Sequence, residues 1–417
     1  MKKLTKWITY WGQLLLMPLH WCGRLFPRRK DIWLFGSTFG RRFADNPRYF
    51  YQYCRKFGKE IDIRPIWISH DAEIVKYLSS NGYEAYRYHS LKGIYYALRG
   101  KVYLYDNYSK DINFWQSAGG MKVNLWHGIP LKKIQADNKY DKFRHPKNLW
   151  ERWKNLPRNI SDEKSSDWVL TISEFMRPIF SSAFRTKHVF TCGYPRTDYL
   201  ISDKIDNLLL PKEQREMDMV TEFQRKYGKD NAKIVYYMPT FRDSEIKFFE
   251  VMDLVRFQKY LKEEHILFCV KLHPKSKLRK EFAKITEKGF ENVLIIDADS
   301  DPYVLLKITD ILVTDYSSVY FDFLLLDRPI IFFDYDREEY ISQSRELYFD
   351  YESMTPGVKA RTTEGLIAAL QSTMYPSEEY IRKYMKQRKG VRDKVFDTPK
   401  EMASPKLVAE IKKVIID

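Results

Sequence analysis

Two histidines stand where proton chemistry is feasible. His127 lies in NLWHGIPLKK and His273 in VKLHPKSK, each directly behind an apolar run and shortly before a proline. An imidazole in a turn stiffened by proline can take or give a proton near neutral pH. Lys132 and Lys133 flank the first, and Lys271, Lys275 and Lys277 the second, which favours an anionic ligand. A lone loop histidine is usually satisfied by backbone groups. Two in matching settings, one per half of the chain, point to a base and a phosphate-stabilising donor acting on one substrate.

Three further groups have the right types. Thr314, Asp315, Tyr316, Ser317 and Ser318 separate an apolar run from an apolar helix that begins near Val319. A serine pair there offers hydroxyls and helix N–H groups to a phosphate, although one serine would serve as a plain N-cap. Asp322, one turn on, is within reach of a polyol or ribose hydroxyl. YMPTFRD presents Thr240 and Arg242, and arginine suits bidentate phosphate binding. GYPRTDYL presents Arg196 and Asp198; this segment and YMPTFRD also read as structural turns with a surface salt bridge. GxxxxGK[ST], GxGxxG and GxSxG are absent, which argues against ATPase, dinucleotide oxidoreductase and serine hydrolase. No metal-ligand spacing occurs, Asp334 and Asp336 reading as strand-closing residues, and no cofactor is expected.

Such residues need a frame. After Lys30, short apolar runs alternate with helical stretches: strands over Asp31–Ser37, Ile61–Ser69, Gly100–Asn107, Met121–Gly128, Asp167–Ser173 and His188–Gly193, with a helix over Ala72–Gly82. A charged stretch from Ile201 to Asp230 has no clear strand and reads as interdomain. Runs over Lys233–Thr240, His265–Pro274, Asn292–Ala298, Asp310–Ser318 and Pro329–Asp336 read as buried parallel strands. The expected architecture is α/β, two doubly wound Rossmann-like domains facing each other across a cleft. Ligands then bind beyond the carboxyl ends of the strands, where the polar residues above lie. The boundaries read as 1–30 for a membrane-associating segment, 31–205 and 206–390 for the two α/β domains, and 391–417 for a C-terminal helix.

A chain of 417 residues with 44% apolar content suits two packed domains. Its 71 basic against 55 acidic residues, a net charge of +16, seek anions: nucleic acid, acidic lipid or phosphorylated substrates. The basic residues are dispersed and no nucleic-acid-binding signature accompanies them, so no specific nucleic acid is expected. Four scattered cysteines fit a reducing compartment. Between Trp7 and Phe26 an apolar run carries Trp7, Trp11, Leu14, Pro18 and Trp21 on one helical stripe, with Lys2, Lys3 and Lys6 before it and Arg28, Arg29 and Lys30 after it. That describes an amphipathic helix in the headgroup plane, with a helix docked on the protein's own core as the alternative.

In order along residues 34–336, FGSTFGRRFADNP, NLWHGIPLKKI, GYPRTDYL, YMPTFRD, VKLHP and ILVTDYSSVYFDFLLLDRPIIFFDYD resemble the CDP-glycerol glycerophosphotransferase family. The resemblance implies a GT-B-like fold, peripheral association with the cytoplasmic membrane face, and synthesis of teichoic acid or a related capsular polymer. It implies that the terminal hydroxyl of a lipid-linked acceptor attacks the β-phosphorus of CDP-glycerol, a substrate rather than a cofactor, and that CMP leaves. It also implies His127 as general base and His273 as phosphate stabiliser. Gly128, Ile129, Pro130, Leu131, Arg196, Pro239, Thr240, Phe241, Arg242, Lys271, Leu272, Ser317, Ser318 and Asp322 would line the donor site. The family usually has threonine where Ile129 stands, which leaves glycerol versus ribitol open, as are primase versus polymerase and oligomeric state. A nucleotide-sugar glycosyltransferase on the same fold is the alternative enzyme.

Overall fold

The computed structural model describes residues 2–416, apart from 161–165, 206–207, 243–245, Pro274, Lys277, 288–290 and 344–345. The chain divides into two compact units. Unit 1 takes Met1–His127, Ile134–Asn207 and Lys400–Asp417; unit 2 takes Gly128–Lys133 and Leu208–Pro399. Linear boundaries do not anticipate the two exchanges: Gly128–Lys133 goes to unit 2, and the chain returns to unit 1 at Lys400.

Unit 1 holds β1 (Arg29–Phe35), β2 (Arg64–Ser69), β3 (Ala85–Arg87), β4 (Gly100–Tyr105), β5 (Met121–Asn124), β6 (Trp168–Thr171) and β7 (Val189–Thr191), in the order β3-β2-β1-β4-β5-β6-β7. All pair in parallel. Their carboxyl-terminal parts, such as residues 32–35, 66–69 and 102–105, are buried, as a sheet covered on both faces requires, while β1 and β2 begin at exposed Arg29 and Arg64. Ile32, Leu34, Ile66, Ile68, Tyr103, Tyr105 and Ile112 form a buried cluster in this unit.

Unit 2 repeats the plan with β8 (Lys233–Tyr237), β9 (Ile266–Val270), β10 (Val293–Ile295), β11 (Ile311–Thr314), β12 (Ile330–Phe333) and β13 (Val358–Ala360), all parallel, in the order β10-β9-β8-β11-β12-β13. Renumbered from its first strand, this is the same 3-2-1-4-5-6 order. Each sheet therefore reverses direction at one place, between β1 and β4 and between β8 and β11. The crevice beyond the carboxyl ends at such a switch point is where doubly wound sheets hold ligands.

The N-terminal run forms two helices, Lys2–Leu15 and Met17–Cys22, with Pro18 in the first turn of the second. Proline cannot donate to a preceding turn, so the single stripe breaks there. Trp7, Leu15, Leu16, Leu19 and Trp21 are exposed, while Trp11 stacks on Trp153 at 4.0 Å. Arg28 does not face outward as a basic flank. Its guanidinium donates to the carbonyls of Gly23, Ala97, Gly100, Gln116 and Ala118 and pins the start of β1. Among the described residues no helix is long and apolar enough to cross a membrane.

Candidate active site

In unit 1 the switch point is closed by side chains from both strands. Beyond β1, Ser37 Oγ donates to the Asp106 carboxylate at 2.6 Å and the Thr38 N–H donates to it at 2.9 Å; Asp106 directly follows β4. Asp111, also fully buried, accepts N–H groups of Phe39 and Asn107 at 2.9 Å each. Burial pushes the Asp106 carboxyl up, with the nearby Asp45 charge adding to the rise and His127 opposing it. Burial and the Asp106 charge push Asp111 well up.

His127 lies three residues past β5, at the end of a strained corner. Trp126 has φ 55°, a left-handed backbone that is an outlier for a bulky residue and costs ~1–3 kcal/mol. Surrounding bonds hold it there. Asn124 Oδ1 accepts the Trp126 N–H at 2.8 Å, and Asn46 Nδ2 donates to the carbonyls of Leu125 and Trp126 at 3.0 and 2.9 Å. The Trp126 ring lies against His127 at 4.1 Å and meets Phe184 edge-on at 4.9 Å. The exposed imidazole places Nδ1 3.0 Å from the Asp106 carbonyl. A carbonyl only accepts, so Nδ1 carries the proton and Nε2 the lone pair. That tautomer, with a buried carboxyl group nearby to stabilise a developing imidazolium, is what a general base requires.

Arg196 was expected to face the donor. It is 2% exposed and its Nη1 donates to Asp45 at 2.9 Å, on the first turn of the helix Asp45–Phe57. It stands in the wall behind the His127 corner.

In unit 2, the carboxyl ends of β8, β9 and β11 and the Gly128–Lys133 segment meet. The segment is strapped in: Tyr348 N–H donates to the Leu131 carbonyl at 2.9 Å, Lys133 N–H to that of Glu346 at 2.8 Å, and Lys132 Nζ to the Tyr340 hydroxyl at 2.6 Å. A Cβ on Gly128 would lie 2.9 Å from Ser318 Oγ, so a side chain there would force the Ser318 hydroxyl to move. Ile129, Pro130 and Leu131 are buried. The departure at Ile129 is thus an anchor inside the unit, and its side chain is 0% exposed. Ser317 and Ser318 are half-buried before the short helix Val319–Phe323, where Ser318 makes no side-chain cap.

Pro239, Thr240 and Phe241 form the loop after β8. Thr240 N–H donates to both Asp315 oxygens at 2.9 and 3.0 Å, and the Phe241 ring lies 4.9 Å from that of His273. His273 is exposed, and its Nδ1 accepts the Lys275 N–H at 3.2 Å. In the neutral ring the proton then sits on Nε2. Pro274 and Lys277 lie outside the described residues.

Three expected donor contacts are otherwise engaged. Arg242 is 8% exposed; it donates to Asp336 through Nε and Nη2, pairs with Asp315 at 2.8 Å and donates to the Thr240 carbonyl at 2.7 Å. Its fork joins the loops after β8, β11 and β12, and the flanking carboxylates hold its charge firmly. It is a structural clamp in this arrangement. Asp322 is fully buried and accepts a hydrogen bond from the Tyr303 hydroxyl. Lys271 Nζ donates to the carbonyls of Asp297 and Ala298 at 2.8 and 3.3 Å, and Leu272 is core. Asp106, Asp111 and Asn46 went unassigned from sequence. The only signals were the polar Asp106–Asn107 pair after a strand and the DNP that opens the helix Asp45–Phe57, and Asp111 had none.

Comparison with known proteins follows the same lines. Residues 17–413 match the family model described as CDP-Glycerol:Poly(glycerophosphate) glycerophosphotransferase. A teichoic acid poly(glycerol phosphate) polymerase of Bacillus spizizenii is 32% identical over 87% of this chain and 89% of its own length. A teichoic acid glycerol-phosphate transferase of Staphylococcus aureus is 27% identical over 84% and 86%. A polymerase of Staphylococcus epidermidis is 28% identical, and the match spans 46% of its length, about half. The solved wall teichoic acid polymerase TagF superposes with TM-score 0.70 at 22% identity, over 99% of this chain and 98% of that one, and so shares the GT-B-like fold. By sequence, the chain belongs to the CDP-glycerol:poly(glycerophosphate) glycerophosphotransferase family.

Proposed function

We propose that this chain transfers glycerol phosphate from CDP-glycerol to the terminal hydroxyl of a lipid-linked polymer in teichoic acid synthesis, with His127 as base and His273 as phosphate stabiliser. One observation carries the assignment of roles: the backbone holds the histidines in opposite tautomers. His127 Nε2 has a lone pair to take the acceptor hydroxyl proton. The oxygen so freed forms a bond to the β-phosphorus, and the bond from that phosphorus to the CMP oxygen breaks. His273 presents Nε2–H to the charge that builds on the phosphates. Gly128, Thr240, Phe241, Ser317 and Ser318 are the proposed donor contacts. Arg196, Arg242, Lys271 and Asp322 act at one remove, by fixing the loops that carry those contacts.

The acceptor's lipid calls for a membrane-facing surface. We place it on the exposed Trp7, Leu15, Leu19 and Trp21, joined through the Trp11–Trp153 stack to exposed Leu149 and Trp150. Tryptophan beside lysine suits an anionic headgroup layer. The chain would then work as a peripheral protein on the cytoplasmic face.

The test is CMP release from CDP-glycerol, CDP-ribitol and nucleotide sugars, with membranes as acceptor. Acceptor-dependent CMP from a CDP-polyol that disappears in His127→Ala supports the reading. Turnover of a nucleotide sugar alone overturns it. Co-sedimentation with anionic vesicles tests the surface: binding that survives both deletion of residues 1–30 and Trp150→Ala places the contact elsewhere.

A further inference from the structure

We infer that Asn46 is a positioning residue for the reaction, the pin that aims His127 and ties its corner to Arg196. This rests on the reading of His127 as the base. Asn46 is completely buried at the head of the helix Asp45–Phe57, both amide hydrogens are used on this corner, and the amide oxygen is engaged by Arg196. Nδ2 donates to the Leu125 carbonyl at 3.0 Å and to the Trp126 carbonyl at 2.9 Å. Oδ1 accepts the Arg196 N–H at 3.2 Å, at the start of the helix Pro195–Ile201.

Those are the two carbonyls immediately before His127, one on each side of the left-handed Trp126. Without donors there, two buried carbonyls lose their partners and the strained backbone loses its restraint. The imidazole would turn away from the Asp106 carbonyl, and the tautomer would no longer be fixed. The preceding residue strengthens the pin. Asp45, itself left-handed at φ 59°, accepts the Asn46 N–H at 2.7 Å and the Arg196 guanidinium at 2.9 Å. Residues 45 and 46 thus hold Arg196 by both main chain and side chain while holding His127 by its two predecessors.

No other side chain fits the place. Aspartate keeps the acceptor but replaces two donors by an oxygen facing two carbonyls. Glutamine is a methylene too long, and serine has one donor.

The experiment uses the full-length protein and measures CMP release at varied CDP-glycerol for wild type, Asn46→Ala, Asn46→Asp, His127→Ala and the His127→Ala/Asn46→Ala double variant. We expect both Asn46 substitutions to lower kcat by about 10–100-fold, the cost of a displaced reacting group, while KM for CDP-glycerol changes less than about threefold. In the His127→Ala background Asn46→Ala should cost nothing more, because a pin has no effect once the aimed group is gone. Nitrogen NMR of labelled histidine, assigned with His127→Ala, should show the Nδ1-protonated tautomer in wild type and its loss in Asn46→Ala. If Asn46→Ala does not fold by circular dichroism, Asn46→Ser replaces it in the same cycle. Full kcat in the folded variants, or losses that multiply in the double variant, overturn the proposal. Absence of CMP release from the wild type overturns instead the reading of the reaction.

Discussion

A carbonyl only accepts and a peptide N–H only donates, and that difference separates the two histidines. The Asp106 carbonyl forces the proton onto His127 Nδ1, and the Lys275 N–H forces it off His273 Nδ1. His127→Ala is therefore expected to lower kcat by ~10²–10⁴, the range for a lost general base. His273→Ala should cost ~10²–10³, the range for a lost charge-stabilising donor. Steady-state CMP release checks both. Gly128 makes a sharper prediction. Gly128→Ala pushes a methyl into Ser318 Oγ and should reduce turnover, and Gly128→Ala/Ser318→Ala should lose less than the two single losses combined. Strictly additive losses would mean that this close approach does not matter. At this scale the sequence disclosed residue type and strand-end position, which was enough to single out two histidines as candidates. It could not disclose partners. Asp336 is far from Arg242 along the chain, so an arginine suited to phosphate could not be recognised as one already bound to carboxylates.

Strands, not residues, carry the site from place to place. Eleven of the described strands were readable as apolar runs because a covered parallel sheet leaves no polar face to break the pattern. β3 and β13 were not: β7 and β10 are as short and also lie at sheet edges, but they sit in the longer apolar runs HVFTC and NVLII, whereas AYR and VKA each carry a basic residue within three. The ends were overrun by a few residues: the apolar character of NLWHG continues past Asn124, where pairing stops and the corner begins. At this scale Arg242 matters as the tie between three strand ends. Arg242→Ala should destabilise the protein by ~3–5 kcal/mol, as removal of one partner from a buried pair does, and urea unfolding reads it directly. Arg242→Lys should not restore the loss, because an ammonium cannot bridge two carboxylates as a planar fork does.

The whole molecule turns on how its far segments return. The helix Ala403–Ile416 is fastened to unit 1 by Asp198, whose oxygens accept the N–H groups of Ala403 and Ser404 at 2.6 and 2.8 Å. Burial pushes that carboxyl up to about 7, against the pull of these donors. A raised carboxyl stabilises the fold fully below its unfolded value, near 3.8, and the contribution is lost as pH rises through about 7. Wild type should accordingly lose stability relative to Asp198→Asn between about pH 4 and 7, by at most ~1.4 kcal/mol per pH unit. Denaturant midpoints of the pair across that window test this, and parallel curves would refute it. No sequence pattern announced this closure, because GYPRTDYL and the helix it caps lie two hundred residues apart.

That return has a consequence for the order in which the protein is made. A ribosome adding ~5–20 residues per second completes the seven strands of unit 1, then spends on the order of 10–40 s on unit 2 before Ala403 emerges. Through that interval Asp198 waits without the two N–H groups that it holds at the end. A nascent chain stopped after unit 2 would carry both His127 and His273 and an unfastened first sheet. A product truncated there is expected to unfold at a lower urea concentration than the full chain.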